Sequence, residues 1–379
     1  MNKFNLLLQL AQVLIEGYRQ HPDTATQRAA LDVIIAHWDD VYDLAIQNRV
    51  WTNLISVLVE NPSLFAALPD IQKQDIKLAY FDNWAQNKRI VMQIKQIADR
   101  FNAPAKPTLF MIKGGVRLFD DLYPTLAHRF MADIDLYFED NAAVLEFAAL
   151  DYFSPDEQRF DLAANDDEYL ATHKVRNHHL PPVISPSQPV HVELHQSWVH
   201  LRAVQYCRAT TALDAVAING LDAIRTPAPV DQLILNILHS QYGDLYTDYS
   251  SFRLRNVLEG YLLYQRLNSV DRATLVAHFE NIGRKRDWIF WTYLCQVYFQ
   301  APEFQTAPPM SERVKYFFHR QFNQSATYNA LVYSGHFLWR FLRHGIWRKE
   351  ERARLMRNLF DGEKRGRLMS KLKRSIGWE

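Results

Sequence analysis

The feature that most constrains this chain is a pair of aspartates set two apart inside an apolar run, Ala132-Asp133-Ile134-Asp135-Leu136-Tyr137-Phe138. On a strand, residues i and i+2 project from one face. Asp133 and Asp135 therefore share a side, while Ile134 and Leu136 take the other. Two carboxylates a few ångströms apart repel, and buried charge is expensive unless it is paired or metal-bound. Hard oxygen ligands of this kind select Mg²⁺ or Mn²⁺ over softer metals.

Two neighbouring stretches bear on the same site. Residues 108–112 are a compact apolar run that ends at Gly114-Gly115, as a buried strand running into a tight turn does. Consecutive glycines permit positive φ and a close approach of backbone to ligand. Val116, Leu118, Phe119 and Leu122 then recur at helical spacing up to Pro124, placing the glycines at a strand-to-helix junction whose amides favour an anion such as phosphate. Further on, Val190, Val192 and Leu194 alternate with His191, Glu193 and His195. If that strand pairs beside 132–138, Glu193 brings a third carboxylate to the same edge, and three carboxylates can bind two metal ions for an in-line phosphoryl displacement. His191 and His195 either orient Glu193 or the acceptor, or are satisfied structural histidines. Arg129 either contacts phosphate or pairs with an aspartate. Lys113, at the strand end, is solvated or faces the phosphates.

The segments IKGGVRL, LYPTLAHRFMADIDLYF and VHVELHQSW resemble the nucleotidyltransferase superfamily of DNA polymerase β-like fold. More narrowly, they are similar to a bacterial group labelled uncharacterised nucleotidyltransferase, over roughly residues 107–239. The resemblance implies that Gly114 and Gly115 hold a triphosphate, with Arg129 and Lys113 as further nucleotide contacts, and that Asp133, Asp135 and Glu193 are catalytic and bind Mg²⁺ or Mn²⁺. Many members of the superfamily carry Gly-Ser at the turn; here Gly115 stands second, which leaves backbone amides to meet the phosphates. The implied activity is transfer of a nucleoside monophosphate from an NTP, with ATP the expected donor, to an unidentified acceptor hydroxyl on a small molecule, glycan or protein. The alternative is a nucleotide-binding regulatory or toxin–antitoxin component without turnover.

The expected fold class is α+β: a small mixed nucleotidyltransferase sheet flanked by helices, with a helical N-terminal region and a helical C-terminal bundle. Residues 1–103 read as helical, including a long helix over 71–101 whose stripe of Leu78, Phe81, Ile90, Ile94 and Ile97 should pack on the sheet. Residues 104–225 hold the α/β core. There, 172–184 and 189–195 read as strands joined by a turn-rich tetrapeptide, 153–167 as a loop, and Asn219-Gly220 as a hairpin turn. Residues 226–301 form a helical cleft wall, in which Arg253 and Arg255 read as surface residues before phosphate ligands. The aromatic and basic region 302–379 ends in a tail that reads as a solvated amphipathic helix pair or a weak membrane-surface contact.

A net charge of +1 argues against nucleic acid as an obligatory partner. Two cysteines, Cys207 and Cys295, indicate neither a disulfide framework nor a zinc site and fit a reducing cytoplasm.

Overall fold

The computed structural model describes residues 1–103, 106–155, 178–199, 203–207, 215–242 and 253–304, with scattered positions from 308 to 320. The basic tail, the start of the expected 172–184 strand and most of the expected 153–167 loop lie outside the described residues.

Five helices open the chain: α1 (Lys3–Tyr18), α2 (Thr24–Ala36), α3 (Trp38–Gln47), α4 (Trp51–Glu60) and α5 (Pro62–Ala67). Local chemistry sets their starts. Asp23 accepts from the amides of Ala25 and Thr26, and Asn61 from those of Ser63 and Leu64, so orphan N–H groups are satisfied. The long α6 (Asp70–Phe101) then crosses to the sheet.

That sheet has five strands, β1 (Leu109–Met111), β2 (Asp133–Phe138), β3 (His191–His195), β4 (Ala215–Ile218) and β5 (Leu221–Pro227), in the order β3-β2-β1-β5-β4. It is mixed. β1 runs antiparallel to β2 and parallel to β5, β2 is parallel to β3, and β4–β5 is a hairpin. The hairpin turns at Gly220, whose φ of 76° lies in the left-handed region that glycine enters freely. Residues 178–184 run beside β3 through isolated antiparallel bridges, His179 to His195 and Val183 to Val192, rather than as the continuous strand expected there. Helix α7 (Ala142–Ala148) follows β2, and α8 (Pro229–Tyr242), α9 (Leu254–Arg266), α10 (Ser269–Asn281) and α11 (Lys285–Phe299) complete the described fold.

The strands' inner face carries Leu109, Met111, Ile134, Leu136, Val192 and Leu194, all fully buried against Ile90, Ile94 and Ile97 of α6 and Phe147 of α7. Each such burial stabilises by about 1.5–3 kcal/mol. The expected α6 stripe holds only there, for Leu78 and Phe81 are 63% and 51% exposed. A helix of 32 residues spans about 48 Å and overruns the sheet. Its first half turns Ile76 instead toward a second core. That core unites the N-terminal helices with the helices that follow the sheet, with Leu10, Leu14 and Ile55 in one cluster with Leu233, Tyr261 and Trp291. Both cysteines are free thiols. Among the described residues no helix is long and apolar enough to cross a membrane.

Candidate functional site

Parallel pairing of β2 with β3 sets Asp135 opposite Glu193 and Asp133 opposite His191. The glutamate therefore lies on the same side of the sheet as the aspartates. Ligand atoms of Asp133, His191 and Glu193 lie within 4.8 Å of one another, as do those of Asp135, Glu193 and His195. Glu193 belongs to both groups. His195, wholly buried, places Nε2 at 2.8 Å from Asp135 Oδ1 and 3.5 Å from Glu193 Oε2, while His191 Nε2 is 3.9 Å from Glu193 Oε1. Lys113 is not a solvated strand-end residue: its Nζ donates to Asp135 Oδ1 at 2.6 Å. Its backbone, at φ 55°, turns the ammonium back over β2.

These contacts divide the carboxylates. Burial pushes the Asp133 carboxyl up, and repulsion from Asp135 and Glu193 adds to it. Burial acts upward on Asp135 too, but the Lys113 charge and the His195 hydrogen bond outweigh it and hold that carboxyl well below the usual range. Glu193 is also held low, its burial offset by the His195 hydrogen bond and the charge of His179. The site thus concentrates negative charge that one ammonium answers. Each set, two carboxylates and one imidazole, fits a divalent cation, and the His191 nitrogen extends the choice from Mg²⁺ toward Mn²⁺.

The Gly-Gly turn differs from expectation. Residues Lys113–Leu118 form a short 3₁₀ helix with no α-helix behind it, so no macrodipole points at a phosphate. Neither glycine has positive φ; the left-handed residue is Lys113. The glycines are required for space. A Cβ on Gly114 would meet the Arg129 guanidinium, with Cζ at 2.8 Å, and one on Gly115 would meet Met111 Sδ at 2.7 Å. Gly114 is a seat for Arg129.

Arg129 reaches that seat because its loop is held from behind. Asn87 Nδ2 donates to the carbonyls of Leu126 and Arg129, both at 2.6 Å, Asn83 Nδ2 donates to those of Ala127 and Arg129, and Thr52 Oγ1 to that of His128. The guanidinium is buried, and Arg129 pairs with Glu259 of α9 at 2.9 Å rather than with an aspartate. In front of it opens a cavity of about 580 Å³. Asp133, Asp135, Lys113 and Gly114 form one side; Arg49, Arg117, Arg129 and Arg255 are spread over the rest, with Trp51, Trp198, Asn236 and His239. Its walls come from the α3–α4 junction, the sheet, α8 and α9.

Arg255 therefore lines the cavity, half-buried, and is not the surface residue its helical spacing suggests. Arg253 sits at the N-cap of α9. Arg117, Glu259 and Arg49 went unseen in the sequence: Arg117 lies in the short 3₁₀ segment, Glu259 within α9, and Arg49 in the turn between α3 and α4. The one available signal was the arginine inside GGVRL.

No curated protein and no solved structure matches the chain. A family described as uncharacterised nucleotidyltransferase matches residues 36–300, from the helix before the α3–α4 cavity wall to the end of α11. That span takes in the carboxylate edge, the glycine turn and every arginine of the cavity. By this match the chain belongs to the uncharacterised nucleotidyltransferase family.

Proposed function

We propose that the chain transfers a nucleoside monophosphate from a nucleoside triphosphate to an acceptor hydroxyl, with residues 104–225 as the transferase core. Residues 226–301, with α3 and α4, wall its cleft. One observation carries the reading: Asp133 and Asp135, on the rim of a cavity lined by arginines, each have a carboxylate oxygen within 4.8 Å of Glu193, which is remote from both in the chain. The negative rim suits a divalent cation and the positive lining suits phosphates.

In this reading Asp133, Asp135 and Glu193 hold Mg²⁺ or Mn²⁺, which when bound offsets phosphate charge and acidifies the acceptor hydroxyl. His195 donates to Asp135 and fixes its carboxylate in orientation, as the outer partners of ligating groups do. Arg129, seated on Gly114, meets the triphosphate with a guanidinium where other superfamily members use a hydroxyl. The acceptor oxygen bonds to the α-phosphorus, the bond to the β-phosphate breaks and pyrophosphate leaves. The hydroxyl proton passes to a carboxylate of the cluster.

The test is label transfer from α-³²P NTPs to cell-extract acceptors, comparing the full chain with Asp133→Asn and Asp135→Asn. Both variants are expected to fold and to release no pyrophosphate. Full turnover by either would remove the proposal.

A further inference from the structure

Two of the cavity's arginines share one counter-charge. Arg129, 7% exposed, is paired with Glu259 at 2.9 Å, yet its Nε is buried without a hydrogen-bond partner. Arg255, one helical turn before Glu259 on α9, also has a buried Nε with no partner. Burial and the neighbouring charges of Arg129 and Arg49 push its guanidinium down to about 9, with Glu259 opposing them. Glu259 is already engaged by Tyr123, whose hydroxyl donates to Oε1 at 3.1 Å. Arg117 is different, since its guanidinium is occupied by Asp120 and Gln232.

The wall thus holds more buried positive charge than the carboxylate beside it answers, with donors aimed at nothing. Buried charge of that kind is costly unless a ligand completes it. The first amides of α9 are not the site. Asn48 accepts from Leu254 N through Oδ1 at 3.1 Å, and from Arg255 N through its carbonyl at 3.3 Å. What remains is a pair of planar forks, the geometry that matches a phosphate bidentately.

We propose that Arg129 and Arg255, braced by Glu259, form a clamp for a phosphate dianion on the helical wall of the cavity. That phosphate is either the terminal one of the nucleotide or one carried by the acceptor. The clamp rests on the transferase reading for its nucleotide arm alone.

Calorimetric titration of the full chain with ATP, AMP and inorganic phosphate tests it, using wild type, Arg255→Gln and Arg255→Lys, each checked for an unchanged circular dichroism spectrum. Loss of a charged bidentate contact is worth about 10- to 100-fold in affinity. If the clamp reads the nucleotide, Arg255→Gln weakens ATP by that factor and leaves AMP unchanged, and Arg255→Lys recovers only part of it. If it reads the acceptor, ATP is unaffected and inorganic phosphate, titrated against the nucleotide-saturated protein, loses its binding in Arg255→Gln. Wild type that binds phosphate through Arg255 but no nucleotide keeps the clamp and removes the transferase reading. Equal binding of all three ligands by wild type and Arg255→Gln overturns the clamp.

Discussion

The strand wall of the cavity holds Asp133 and Asp135, with Glu193 beside them, by the register of two parallel strands, whereas the helical wall holds Arg129 and Arg255 by side-chain packing. On the first wall, backbone hydrogen bonds fix each carboxylate against its neighbour, and like charges are forced together. On the second, each guanidinium depends on remote residues: Asn83 and Asn87 from α6, Thr52 from α4, and Glu259 from α9. A backbone-built site tolerates loss of one side chain in its fold but not in its chemistry. A packing-built site gives up both together.

The largest effect expected is on the strand wall. Asp135→Asn removes a charge on which Lys113 and His195 converge, and turnover should fall by about 10³-fold or more, several kcal/mol of transition-state stabilisation. Stability should fall less than on the helical wall, because the change leaves Lys113 without its ion pair but also relieves repulsion from Asp133 and Glu193. The opposite pattern belongs to Glu259→Gln. It leaves Arg129 buried without its carboxylate and removes the charge beside Arg255, and breaking a buried pair on one side costs about 3–5 kcal/mol. Urea unfolding checks this. If Glu259→Gln unfolds like wild type while Asp135→Asn does not, the contrast between the walls is wrong.

Gly114→Ala probes the seam where the walls meet. The added methyl strikes a buried guanidinium that is held by Glu259, so about 1–3 kcal/mol of overpacking strain is expected, with weaker ATP binding as Arg129 shifts. Gly115→Ala meets only the end of the Met111 side chain, which adapts more cheaply. A turn built for backbone conformation would rank the two substitutions equally; thermal unfolding of both variants separates the possibilities.

The same division explains what the sequence disclosed. A strand's period of two declares which side chains share a face, so Asp133, Asp135 and Glu193 were legible, and β2–β3 pairing was the only further step. The sheet and most helices were legible for the same reason, since apolar periodicity marks a buried face. Periodicity separates apolar from polar faces but does not separate solvent from a cavity. Arg255 therefore read as a surface residue, though its polar face looks inward. Nor does it say where a partner surface ends, which is why Leu78 and Phe81 of α6 read as core and stand exposed beyond the sheet. The role of Gly114 was hidden because the group it makes room for arrives from another loop.

The smallest effect tests the mount of the helical wall. Glu60, at the end of α4, accepts from His128 Nε2 at 2.9 Å, Thr125 Oγ1 at 2.6 Å and Tyr80 at 2.9 Å, tying down the turn that leads into Arg129. Partial burial pushes its carboxyl up, but these donors, His128 foremost, outweigh that and hold it below the usual value for a glutamate. A carboxyl depressed in the folded state stabilises above its unfolded value and ceases to do so as pH falls through the folded one. Wild type should therefore exceed Glu60→Gln in urea midpoint at pH 6–7, and the gap should close as pH drops below 4.5. Because Glu60 is partly exposed, solvent screens the contribution and the shift should be modest. If the gap stayed constant down to acid pH, the three contacts would be acting by packing alone, and the helical wall would owe nothing to charge at its base.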